Sequence, residues 1–346
     1  MRPPLPYLKD RSGYVYIMAL AAIAILALVL AGAFAVQRSS SDGAAELLAQ
    51  TNLERDLRAA QASAVHLLLT APRGFDTINA GGVLDFDGAL IEAGDPISAR
   101  GVPRRVEING RTMIVRLIAT DGLIGLDPFY PPKAQRFLER IGIDDAEASQ
   151  LAARLADYVD EDDFRRLGGA ELADYPETHR PPTNAPLRAA RELCAVPGWE
   201  TLDLCAADPR LMDLYFNVEP GASSQPALLP NHVLDLLFEN APGLSLRRQL
   251  LTRTRPQSFT DLGIEGWDEL HTGEFGYGPI GTEFLILTHE PQAGLVLAAR
   301  VRLTTSDLTS PYRTLFDFVI GGARVEQEFG LTDADDLEAF PLPEPP

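Results

Sequence analysis

Gly13-Tyr14-Val15-Tyr16-Ile17-Met18-Ala19-Leu20-Ala21-Ala22-Ile23 opens an uncharged run that continues to Val36 and decides how the rest of the chain is read. Across 14–36 nearly every residue is Ala, Leu, Ile or Val. As a helix rising ~1.5 Å per residue, such a run is about 35 Å long, enough to cross a bilayer core. A cleavable secretory signal has a shorter apolar region of roughly 7–15 residues, so this run is read as an anchor that stays. Before it, Arg2, Lys9 and Arg11 stand against Asp10. A basic flank ahead of the span and a large domain behind it predict a single-pass protein with a cytoplasmic N-terminus and its bulk outside the cytoplasm.

Outward from this run, Ser39-Ser40-Ser41-Asp42-Gly43 interrupts the apolar texture and could bend the helix. A second helical pattern then places Leu47, Leu48, Leu53, Leu57, Ala60, Ala64, Leu67 and Leu68 on one face, with Glu54, Arg55, Asp56 and Arg58 between them. Strand-like stretches follow at 83–86, 89–92 and 105–119, the last holding the hairpin pair Asn109-Gly110. From 131 to about 270 the pattern turns helical, with helices predicted at 132–140 and 145–159 and others starting near Pro186 and Pro230. Strand texture returns at 283–288, 294–304 and 312–320, with Thr305-Ser306-Asp307 as a turn. Strands on both sides of a helical block predict one sheet with a domain inserted into it. The acidic, Pro-rich end 332–346 reads as a mobile tail.

The chain has 346 residues, 46% of them hydrophobic, so it can bury a real core. Its 49 acidic and 30 basic residues give a formal net charge of −19, a field that repels phosphate backbones and argues against nucleic-acid partners. Leu138-Glu139-Arg140-Ile141-Gly142-Ile143 has the look of a helix–hairpin–helix, but Asp144 and Asp145 occupy the approach, so it is read as a packing hairpin. The two cysteines, Cys194 and Cys205, are too few for a zinc cage. They form either one local disulfide, which export would favour, or two unpaired core thiols.

Asp160-Glu161-Asp162-Asp163 follows the helix predicted at 145–159, where carboxylates meet the negative end of the helix dipole. A bound cation is one reason for them, and a solvated acidic loop is the other. With Asp160 as position 1, Asp162 falls at 3 and Glu171 at 12 of an EF-hand spacing. Phe164 at position 5, and Arg165 where that loop needs Gly, reject the EF-hand. Oxygen donors without His or Cys still suit calcium.

A short basic leader ending in Gly13 and abutting a long apolar helix resembles a type IV prepilin-like signal; an ordinary signal anchor with an incidental Gly is the other reading. Pilins carry Glu at the fifth mature position, which is Met18 here, and the K-type minor pseudopilins of type II secretion lack that Glu. Asp160-Glu161-Asp162-Asp163, Gly169-Ala170-Glu171, Tyr175, Asn184-Ala185-Pro186-Leu187, Glu192-Leu193 and Val196-Pro197-Gly198 resemble the inserted α-domain of that K family. Two stretches depart from the family's Asn-containing pattern. Asp121-Gly122-Leu123-Ile124-Gly125-Leu126 has none of its Asn residues, and Phe216-Asn217-Val218-Glu219-Pro220 keeps one.

The resemblance implies an α+β pseudopilin fold, a long N-terminal helix packed on an antiparallel sheet with a large inserted α-helical domain. It divides the chain into a leader (1–13), a transmembrane part (14–36) and an amphipathic part (37–72) of the helix. Pseudopilin strands (73–120), the inserted α-domain (121–275), C-terminal strands (276–331) and the tail (332–346) follow. It implies cleavage after Gly13 by a prepilin peptidase and methylation at Tyr14. It further implies calcium held by Asp160, Asp162, Asp163, Glu171 and Asp174, and I- and J-type minor pseudopilins as partners. The expected place is the tip of a pseudopilus that serves protein export, anchored at the inner membrane and facing the periplasm. The competing class is a membrane-anchored periplasmic hydrolase or binding protein. No nucleophile elbow, His-Glu-x-x-His or P-loop pattern supports catalysis, and His179, near the acidic block, is read as a solvated loop residue.

Overall fold

The computed structural model describes residues 12–74, 76–85, 90–92, 94–175, 180–222, 224–225, 228–238, 280–291, 294–304, 306–307, 309–321 and 336–342. Residues 1–11 of the leader, His179 and all of 239–279 therefore lie outside the described residues. The chain divides into two compact units, 1–55 and 56–346. Helix α1, Ser12–Thr70, runs without a break through the Ser-rich segment. Within the first unit Tyr16, Ile17, Leu26, Leu28 and Phe34 are exposed. No helix among the described residues is long and apolar enough to cross a membrane.

In the second unit, α1 presents Leu57, Ala60, Ala64, Val65, Leu67 and Leu68 as a buried stripe, the spacing of one helical face. Leu47 and Leu48, placed on that face from the sequence, are instead exposed. The stripe lies on a five-stranded antiparallel sheet of order β11-β10-β9-β6-β5. These strands are β5 (Arg104–Ile108), β6 (Arg111–Ala119), β9 (Glu283–His289), β10 (Leu295–Leu303) and β11 (Tyr312–Gly321). Asn109 and Gly110, both at positive φ, make the β5–β6 turn, as that residue pair predicts. Thr288 on β9 donates to the Leu57 carbonyl at 3.3 Å, and Arg58 pairs with Asp317 on β11 at 2.6 Å. Beside the main sheet, β1 (Thr77–Ala80) pairs with β4 (Asp95–Ser98), and β2 (Val83–Leu84) with β3 (Leu90–Glu92).

Strands β6 and β9 are hydrogen-bonded neighbours, so everything between Ala119 and Glu283 is an excursion from the sheet. The described part of the excursion contains α2 (Pro131–Arg140), α3 (Asp145–Val159), α4 (Asp203–Ala207), α5 (Met212–Tyr215), α6 (Asn231–Phe238) and several 3-10 turns. The helix expected near Pro186 is a 3-10 stretch, Ala190–Ala195. Leu151, Leu155, Tyr158, Trp199, Phe216 and Val233 share one core with Ile118, Leu285 and Leu287 of the sheet. The sheet is thus covered on both faces, by α1 and by the excursion. That is why β9 reads as a continuous apolar run rather than an alternating one.

One clasp ties the start of the excursion to its middle. Strand β7 (Ile124–Gly125) pairs in parallel with β8 (Phe216–Asn217). These are the two stretches where the sequence departs from the family pattern. Gly122 lies so close to the Leu228 carbonyl that a Cβ would stand 2.2 Å from it. Beneath the clasp, buried Arg300 bonds Glu283 and donates to Asn217 at 2.8 Å.

The expectation of a mobile tail is corrected over 336–342. Arg105 of β5 donates to the Glu338 carbonyl at 3.0 Å and accepts from the Phe340 N–H at 2.6 Å, in a parallel bridge centred on Ala339. Phe340 is 4% exposed. An apolar anchor and two backbone bonds hold a segment whose composition alone suggests disorder.

Candidate functional site: the acidic loop

Helix α3 fixes the near side of the loop. Asp144 caps it by accepting from the N–H groups of Ala146 (2.8 Å) and Glu147 (3.4 Å), and its apolar face, Ala148, Leu151, Leu155 and Tyr158, is sunk in the core. The last turn therefore holds Asp157 and Asp160 in fixed places. Asp157 is fully buried. It accepts from the Arg166 backbone N–H at 3.1 Å and from the Arg166 guanidinium at 2.7 Å. The same guanidinium pairs with Asp160, and these two carboxylates together raise the Arg166 pKa.

Gly168, at φ +81, and Gly169 then turn the chain back. A Cβ at Gly169 would lie 1.9 Å from an Asp157 oxygen, so this position admits only glycine while Asp157 stays buried beneath it. The turn delivers Glu171 to the loop's inner side at 6% exposure. Neither Glu171 oxygen has a hydrogen-bond partner, and Asp160 Oδ1 and the Tyr175 hydroxyl are likewise buried and unpartnered. Burial first, then Asp157, Asp160, Asp163 and Asp162, raise the Glu171 pKa, a carboxylate among carboxylates.

The five carboxylates singled out from the sequence are therefore not alike. Asp160 and Glu171 face inward. Asp162 is exposed and accepts from the Phe164 N–H at 2.9 Å, and Asp163 is exposed. Asp174 pairs with Arg165 at 2.8 Å and accepts from the Glu171 N–H at 3.1 Å, which lowers its pKa, the Glu171 N–H being the leading cause. Among the described residues no group of three or more His, Cys, Asp or Glu is arranged to hold a metal ion. Sequence reasoning missed Asp157, the residue that pins the loop, because it sits inside a helix period rather than in the acidic run.

Cys194 and Cys205 are joined by a disulfide with Cα atoms 5.5 Å apart, tying the 3-10 stretch Ala190–Ala195 to α4. Gly13 and Tyr14 lie in the first turn of α1.

A helix whose 57–68 stretch packs on an antiparallel sheet, with a disulfide-tied helical excursion inserted between two paired strands, defines a mixed α and β protein of distinctive topology. Residues 116–212, from β6 through the acidic loop to the start of α5, match the family described as type II secretion system (T2SS), protein K. One chain of the crystal structure of the GspK-GspI-GspJ complex from the enterotoxigenic Escherichia coli type 2 secretion system is similar over 80% of this chain and 100% of that one. The TM-score is 0.51 at 12% identity, a likeness of fold. No curated protein sequence matches. Over 116–212 the chain is thus similar to the type II secretion protein K family, and its fold is similar to that of a chain in the solved complex.

Proposed function

We propose that this protein is the tip subunit of a type II secretion pseudopilus, needed for pseudopilus assembly and for protein export across the outer membrane. The observation that carries the reading is the family match over 116–212, which spans the clasp strand β7 and the whole acidic loop. Its partners are minor pseudopilins of the I and J types; the similar solved chain comes from a complex of that composition. The run 14–36 anchors it in the inner membrane with the bulk in the periplasm until a prepilin peptidase cuts after Gly13 and Tyr14 is methylated. Met18 in place of Glu leaves the helix without a carboxylate to neutralise the terminal amine of a subunit stacked above it, which suits a topmost position. The role is structural rather than catalytic.

Calcium fits the acidic loop by donor chemistry. Hard carboxylate oxygens suit that ion, and Glu171 and Asp160 hold buried oxygens that lack partners. Asp160, Asp162, Asp163 and Glu171 would hold it after drawing together, since they form no ready-made cluster among the described residues. Asp174, already engaged by Arg165 and the Glu171 N–H, would close the loop from outside. When bound, the ion supplies charge neutralisation and rigidity; the chain's own part is Arg166, which holds Asp157 and Asp160 in place.

In a strain lacking the native gene, the wild-type chain should restore secretion, and Gly13→Phe should abolish both restoration and leader removal. N-terminal sequencing of the recovered wild-type protein should begin at Tyr14. A mature wild-type chain still starting at Met1, or secretion that needs no copy of this protein, would overturn the reading.

A further inference from the structure

The β5 edge of the sheet is built to accept one extended segment. Edge strands expose unpaired N–H and C=O groups and are commonly blunted by Pro or charge. Here Pro103 has no N–H to offer, and Glu107 is an exposed carboxylate. Between them Arg105 alone pairs outward, giving and taking one backbone bond.

The neighbouring side chains then read the visiting residues. Arg104 is 8% exposed. Its guanidinium lies 2.7 Å from a Glu338 carboxylate oxygen and 3.4 Å from the Ala339 carbonyl. On its other side it reaches the Pro96 carbonyl at 3.3 Å and Asp95 at 3.6 Å. A buried cation thus meets an acidic residue, a small residue crosses the bridge, and an aromatic ring is buried two positions on. Strand addition of this kind draws affinity from backbone bonds and specificity from alternate side-chain pockets.

Two backbone bonds, one ion pair and one ring are a small set of contacts. Attachment in cis supplies the local concentration that lets so short a segment stay seated. Its release would leave the sheet's own hydrogen bonds intact. We propose that β5 is a strand-acceptor site that the chain closes with its own Glu338-Ala339-Phe340. Any segment that takes the triplet's place would carry the same acidic–small–aromatic order, the chemistry that the chain's own tail supplies. This does not depend on the calcium reading.

The test uses a fluorescent synthetic peptide of sequence 335–342 and the full chain in detergent, with and without residues 336–346. The shortened chain should bind the peptide saturably while the intact chain does not, and Phe340→Ala within the peptide should weaken binding at least tenfold. The proposal fails if a shortened chain with an unchanged thermal transition ignores the peptide. It also fails if intact and shortened chains bind it equally, or if the shortened chain pairs with itself through β5 instead. Should the shortened chain not fold, hydrogen exchange on full-length Phe340→Ala decides. Arg105 amide exchange at least tenfold faster with Val115 unchanged supports the site, and unaltered Arg105 exchange removes it.

Discussion

Two buried groups show how single residues couple this head to its medium. His232 is buried, its Nε2 3.0 Å from the Leu214 carbonyl and its ring edge-on to Tyr215. Burial pushes its pKa from 6.5 down to about 4. Because the folded value lies below the unfolded one, the unfolded chain takes up a proton first as pH falls. Stability is then lost between about 6.5 and about 4 and is flat outside that window, with a limit of about 3 kcal/mol for the one site. His232→Gln should lessen the slope of melting temperature against pH in that window without abolishing it, because burial shifts His289 the same way; an unchanged slope would assign the acid sensitivity elsewhere. Glu171 has the opposite sign, its pKa being raised, so its charge opposes folding at neutral pH unless a cation is present. Glu171→Gln should raise the melting temperature in chelator and erase any gain from calcium, read by paired thermal scans. Asp160, Asp162 and Asp163 were legible in the sequence as a run of like charge. The pin at Asp157 was not, since what marks it is the absence of space above it for anything but glycine.

At the level of elements, α2, α3 and the strands of the main sheet were readable because period and composition agree there: β-branched runs, an Asn-Gly turn, a helix capped by Asp144. The parallel pair β7–β8 and the β1–β4 hairpin were not readable, because two- and four-residue strands carry too little pattern and owe their pairing to tertiary contacts. The segment 186–202 is likewise held by staples rather than by periodicity. Trp199, fully buried, donates its indole N–H to the Leu151 carbonyl at 3.0 Å, and the disulfide closes a loop with a sequence separation of 11 residues. Replacing both cysteines with Ser should cost about 2–3 kcal/mol by loop-closure entropy. In urea titrations the midpoint should fall; a midpoint that does not move would show that Trp199 and its neighbours hold the segment unaided.

Over the whole molecule, the acidic charge and the order helix, strands, helical block, strands were legible at the outset. The docked tail was hidden by its own composition, since Pro and acidic residues argue for disorder until one aromatic finds a pocket. The division at Arg55 and Asp56 carries its own expectation. A chain beginning at Gln50 should be water-soluble and melt cooperatively within about 3 °C of the detergent-solubilised parent, because among the described residues of α1 burial starts at Leu53. A broad or absent transition would show that the first unit is needed to fold the second. The point at which the excursion is inserted bears on where such a fold can change. The excursion departs and returns at paired residues, Ala119 and Phe284, so it branches from the strand ladder without interrupting it. Because its core is shared with Ile118, Leu285 and Leu287 of the sheet, such a branch is free to change at its exposed turns while its apolar face stays matched to the strands it covers.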